Sequence, residues 1–154
     1  MNFGKYAILQ PVTYYFRREP SLWWKFKPPT SGDELSMARY LNRGKLTLSA
    51  DGPSREVPPS WIEVAHREIA LIFAGTNITK SEKSLEEGGE AILTVGMEPE
   101  EIEAILRLMP HEMVMEIWAA IGEHVPGWGG PPLEPLAEDE AEIPNSEGRE
   151  EEVS

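Results

Sequence analysis

The chain has no cysteine, which excludes disulfides, thiolate nucleophiles and thiolate zinc sites. It also lacks a long apolar run. The longest uncharged one, Ile69-Ala70-Leu71-Ile72-Phe73-Ala74, falls far short of the ~18–20 residues a membrane helix needs, so no membrane partner is expected. The first residues, Met1-Asn2-Phe3-Gly4-Lys5, carry neither the apolar stretch nor the small-residue site of a secretory signal. Positive charge is scarce, with 14 Lys and Arg against 27 Asp and Glu. Phosphate neutralisation needs a basic footprint, so no nucleic acid is expected as a partner of the whole chain. No period of 20–50 residues repeats, which excludes a solenoid.

What charge there is lies unevenly. Residues 1–55 hold nine Lys and Arg against four acids, residues 56–130 four against fourteen, and residues 131–154 one against nine. The basic N-terminal third is suited to meet an acidic partner or the chain's own tail. At 154 residues the chain suits one domain with a tail. Residues 1–130 read as a mainly helical domain with an extended N-terminal segment, and 131–154, rich in acids and prolines, as a disordered acidic tail.

Residues 3–30 read as extended, with aromatic runs at Tyr14-Tyr15-Phe16 and Leu22-Trp23-Trp24-Lys25-Phe26 bounded by Pro11, Pro20 and Pro28-Pro29. Alternation puts Leu22, Trp24 and Phe26 on one face and Trp23, Lys25 and Lys27 on the other. Ser31 and Glu34 have capping-box spacing. They predict a helix from Gly32 to about Asn42, stopped by Gly44, with Leu35, Ala38 and Leu41 inward. Lys45–Ser49 reads as a short strand or return loop, and Asp51-Gly52-Pro53 as a loop. Ser60 and Glu63 cap a second helix over Trp61–Ala74, closed by Gly75, with Trp61, Ala65, Ile69 and Ile72 along one stripe. The pattern then dissolves into a polar, mobile loop between Thr76 and Leu93. Pro99 opens a third helix with Ile102, Ile105, Leu106 and Met109 as its core face. Pro110 forces a corner, and a fourth helix over 112–123 turns Val114, Ile117, Trp118 and Ile121 inward. The fold class expected is thus mainly α, an N-terminal aromatic β-ribbon packed on a four-helix domain.

Catalytic motifs are not assembled. Glu63-x-x-His66 has the spacing of carboxylate-bridged metal helices, but those need a second copy, which the sequence does not contain. His111-Glu112 starts like a zinc-protease helix, with Met115 where the second histidine belongs. The glycine pairs lack phosphate-loop spacing and no G-x-S-x-G elbow occurs. No catalytic residue, metal or cofactor is expected, and the chain reads as not an enzyme. Two groups are candidates for partner binding: Trp23, Lys25 and Lys27, an aromatic flanked by cations on the outward strand face, and Met113 and Met115, flexible thioethers near the Pro110 corner. Trp61 and Trp118 read as packing.

At Phe26-Lys27-Pro28-Pro29-Thr30-Ser31-Gly32-Asp33-Glu34-Leu35 the chain resembles the tail assembly chaperones of long-tailed bacteriophages. That strand-to-helix junction is supported by Pro59-Ser60-Trp61-Ile62-Glu63-Val64-Ala65, by Phe73–Ile78, and by Leu108-Met109-Pro110 leading to Met113–Trp118. The resemblance implies a noncatalytic protein of the host cytoplasm. Such a protein binds the helical tape-measure protein, keeps it soluble and recruits tail-tube protein. Self-association into a homo-oligomer is compatible with it. A small virion structural or head–tail connector protein is the alternative, and a metal-dependent enzyme the remaining class.

Overall fold

A computed structural model describes residues 10–42, 46–49, 52–55 and 59–136, the two middle segments as backbone only. Strands β1 (Val12–Tyr15) and β2 (Trp23–Phe26) lead to helix α1 (Ser31–Leu41). A hairpin of β3 (Leu46–Ser49) and β4 (Gly52–Arg55) follows, then α2 (Trp61–Leu71), β5 (Phe73–Thr76), α3 (Pro99–Leu106) and α4 (His111–His124). The expectations for residues 3–9, for Gly44 and for the tail beyond 136 lie outside the described residues. No helix among the described residues is long and apolar enough to cross a membrane.

The mainly α expectation is overturned: the chain is mixed α/β, with four helices beside a three-stranded antiparallel sheet of order β1-β2-β5 and a separate two-stranded sheet β3-β4. The correction turns on β5. The sequence reading ran α2 through Ala74 to Gly75. The helix instead ends at Leu71, with Ile72 at φ −112° and ψ 18° as its C-cap, and Phe73–Thr76 extends to pair with β2. A continuous apolar run fits a helix end and a buried strand equally, so periodicity cannot separate them. Pairing on both edges of β2 decides it, and Lys27 N donates to Ile72 O at 2.9 Å to lengthen the ladder. Residues 52–53, read as loop, are strand as well.

The alternation in β2 holds. Trp24 and Phe26 are 0% exposed, while Trp23 and Lys25 face outward half-buried. Trp24 packs on Phe73 with ring centroids 4.9 Å apart. The inward side chains of the sheet share one buried core with Ile69 and Ile72 around the end of α2, Ile102 and Leu106 of α3, and Val114, Ile117 and Ile121 of α4. Helix α1 departs from its predicted face. Met37 is the buried residue and Tyr40 packs on the core, while Leu35 and Leu41 stand 51% and 52% exposed.

Its cap is shifted too. Thr30 is the N-cap, its hydroxyl accepting from Asp33 N while Asp33 Oδ2 accepts from Thr30 N, in place of Ser31 and Glu34. The starts of α2 and α3 form as read. Ser60 and Glu63 exchange backbone–side-chain bonds at α2. Pro99 opens α3, where Glu101 accepts from Glu98 N at 2.9 Å.

Between β5 and α3 the polar stretch forms a closed loop. Its neck is a bridge between Thr79 and Ala91, with Lys80 N donating to Glu90 O and Ile92 N to Ile78 O. Thr79 Oγ1 donates to the carbonyls of Ser81 and Lys83 inside it.

Candidate functional site

The site is built around two tryptophans. The Ser60–Glu63 cap fixes the start of α2, so Trp61 occupies the first helical position and projects past the core. It is 58% exposed. Its ring stacks on Trp118 of α4, centroids 5.9 Å apart and planes 23° from parallel. His111, at the start of α4, meets it edge-on at 6.3 Å. The corner that carries His111 also exposes Leu108, at 81%.

Trp118, itself half-buried, is held by α2 and by the loop after α4. Its Nε1 donates to Glu68 Oε1 at 2.8 Å, the same oxygen accepts the Gly129 amide at 2.9 Å, and Gly130 N donates to Trp118 O at 2.9 Å. A side chain on Gly130 would run into the Trp118 ring. The loop after α4 is anchored a second time where Trp128 Nε1 donates to Glu34 Oε2 at 3.1 Å. That bond explains why Glu34 is not a capping residue.

Burial pushes the Glu68 carboxyl above its ordinary value, opposed by the hydrogen bonds from Trp118 and Gly129 and aided by the charge of Glu34. His66 is pushed the other way, first by burial and then by the positive charges of Arg107 and His111. It is therefore neutral at neutral pH. A third carboxylate, Glu116, is 2% exposed. Its Oε1 accepts from Tyr14 OH at 2.7 Å and Arg17 N at 3.0 Å, and the Arg17 guanidinium lies 3.8 Å from Oε2. Burial first, then the bond to Glu116, raises the Tyr14 hydroxyl well above the ordinary tyrosine value, so it stays protonated and remains a donor.

The residues singled out from sequence are scattered. Trp23 and Lys25 do meet, with Lys25 Nζ 5.1 Å from the Trp23 ring centroid, and Trp23 also lies across Gly75 of β5. Lys27 is drawn away into an ion pair with Asp33 at 2.9 Å, where it braces the start of α1. Met113 and Met115 are half-buried against the core, so they fill space between elements. Comparison with protein-family models, curated proteins and solved structures finds no match to this chain.

Glu63, the first half of the Glu-x-x-His spacing, is used as a cap. Among the described residues no group of three or more His, Asp or Glu side chains is placed to hold a metal ion. Sequence reasoning missed Trp61 as an exposed group because its spacing matched the inward stripe of α2. The signal against that reading was positional: the first residue after a cap has no helical turn before it and overhangs the layer it packs on.

Proposed function

We propose that this chain is a noncatalytic tail assembly chaperone of the long-tailed bacteriophage kind, acting in the host cytoplasm. It holds an apolar helical segment of the tape-measure protein and brings tail-tube protein to it. The observation that carries this reading is Trp61, an exposed ring whose geometry is already fixed by stacking on a clamped Trp118. A pre-oriented tryptophan loses little side-chain freedom when a partner covers it, and such residues dominate binding energy at interfaces. Leu108 at the corner before α4, and Leu35 and Leu41 on α1, are exposed as well and add apolar surface of the kind an amphipathic helix covers. The net charge of −13 keeps a protein with such surfaces from associating with itself without specificity.

The test is co-expression with the tape-measure protein of the same gene cluster. A soluble complex is expected, one that also retains tail-tube protein in a pull-down. A tape-measure protein that stays insoluble and is not retained by this chain sinks the reading.

A further inference from the structure

A cleft of about 360 Å³ opens between α1 and α2, lined by Gly32, Leu35, Ser36, Arg39 and Tyr40 of the first helix and Arg67 of the second. Two guanidiniums share it, although the chain carries a net charge of −13. Arg67 is fixed by three neighbours. Its guanidinium lies over the Tyr40 ring at 4.8 Å, Glu103 Oε2 stands 3.0 Å from Nε, and Glu100 Oε2 stands 3.5 Å from Nη1. These contacts leave Nη2 without a hydrogen-bond partner among the described residues. Arg39 is exposed and makes no ion pair among the described residues. Arg18, Lys27 and Lys80, by contrast, each meet a carboxylate within 3.0 Å.

The cleft is not purely polar, because Leu35 in its wall is 51% exposed. Unused guanidinium donors beside an apolar side chain fit a segment that carries carboxylates next to an aliphatic residue. Guanidiniums bond carboxylates through charge-assisted hydrogen bonds, and a guanidinium already held in position loses little freedom in doing so. A bare anion would engage the arginines and leave Leu35 uncovered. The chain itself contains a segment of the fitting kind. Residues 137–154 follow the last described residue and hold eight acids against one arginine. Glu150-Glu151-Glu152-Val153 sets three consecutive acids before an aliphatic side chain.

We propose that the cleft between α1 and α2 is a docking site for the chain's own acidic tail, Glu150–Glu152 meeting Arg39 and Arg67 and Val153 covering Leu35. Reach permits it. The tail starts beside the end of β1, where Arg17 Nη1 donates to the Glu134 carbonyl at 2.8 Å. The stretch from residue 137 to residue 150 spans up to about 45 Å when extended, and a domain of about 130 residues is roughly 35–40 Å across. A tethered segment acts at an effective concentration in the millimolar range, so a few charge-assisted contacts suffice to seat it. Once seated, the tail covers Leu35 and the Arg39 side of α1, and a partner of that surface must first displace it. None of this rests on the tape-measure reading.

The experiment titrates a labelled peptide copying residues 145–154 by fluorescence anisotropy at low salt. The targets are the full chain and the full chain carrying Glu150→Gln, Glu151→Gln and Glu152→Gln, whose neutralised tail no longer competes. The neutralised chain is expected to bind the peptide at least tenfold more tightly than the unsubstituted one. Adding Arg39→Gln to it should cost at least fivefold. Equal affinity for the two chains, binding to neither, or indifference to Arg39→Gln overturns the proposal. Sedimentation tests the other occupant: a native dimer that the neutralised tail turns into monomer would place the tail in a second copy and overturn docking within one chain. Amide NMR of the full chain gives an independent reading. Arg39→Gln alone should move the signals of residues 150–153, and signals there that stay in place overturn the proposal.

Discussion

Trp118 Nε1 donates to Glu68 Oε1 at 2.8 Å, tying α4 to α2 at the point where the loop after α4 also docks. The carboxylate is therefore a hub for two donors, and burial raises its pKa above the ordinary 4.5. The folded state then binds more protons than the unfolded state in the window above that value. The stability Glu68 contributes falls as pH rises from the unfolded pKa through the folded one. Glu68→Gln keeps an oxygen for both donors and removes the titration. The unfolding free energy of the native chain relative to Glu68→Gln should decline as pH rises above the ordinary carboxyl value of 4.5, read from urea melts. Glu68→Ala instead strands the donors and should cost about 1–3 kcal/mol for each one that water cannot reach.

Two glycines of the same loop separate strain from crowding. Gly127 and Gly129 have φ of +82° and +86°, where a side chain is disfavoured. Around Gly127 nothing lies within 4 Å of an added Cβ, while at Gly129 the Cβ would run into the Gly122 backbone. Gly127→Ala is expected to cost about 1 kcal/mol, the conformational penalty alone. Gly129→Ala adds a backbone clash that no rotamer relieves and should cost about 2–4 kcal/mol. Thermal melts of the two variants at one pH suffice. Similar melting temperatures would show that the loop does not press on α4.

The cap of α1 shows where sequence reading stops. Thr30-x-x-Asp33 and Ser31-x-x-Glu34 both have capping-box spacing, and nothing local separates them. The spacing alone leaves them equal, and their partners differ: Lys27, six residues before it, pairs with Asp33, and Trp128 engages Glu34 from 94 residues away. Thr30→Ala should therefore cost about 1 kcal/mol and Ser31→Ala less than about 0.5 kcal/mol in denaturant melts. The reverse order would restore the sequence-based cap. The inward faces of β2, α3 and α4 were legible because their alternation or 3.6-residue period spans a whole element. β5 was not, since four residues continuing an apolar helix carry no period of their own. The clamp on Trp118 was invisible for another reason: Glu68, Gly129 and Gly130 look like ordinary surface and loop residues until α2 and α4 are packed together.

Trp61 and Trp23 offer rival anchors for a partner, and their surroundings predict different behaviour. Trp23 is already engaged by Lys25 and lies over Gly75, so a partner gains little by covering it. Trp61 has one face on Trp118 and most of the rest in solvent. Trp61→Ala should cost only about 1 kcal/mol of stability, the value of an aromatic pair. Trp118→Ala, which removes the donor to Glu68 and the ring packed over Gly130, should cost about 3 kcal/mol. In pull-down titrations with an amphipathic tape-measure segment, Trp61→Ala should weaken binding by about thirtyfold, corresponding to the ~2 kcal/mol of an interface hot spot. Trp23→Ala should change binding less than about threefold. Equal losses would move the anchor to the sheet, and no loss in either would leave the tryptophan ledge as packing alone.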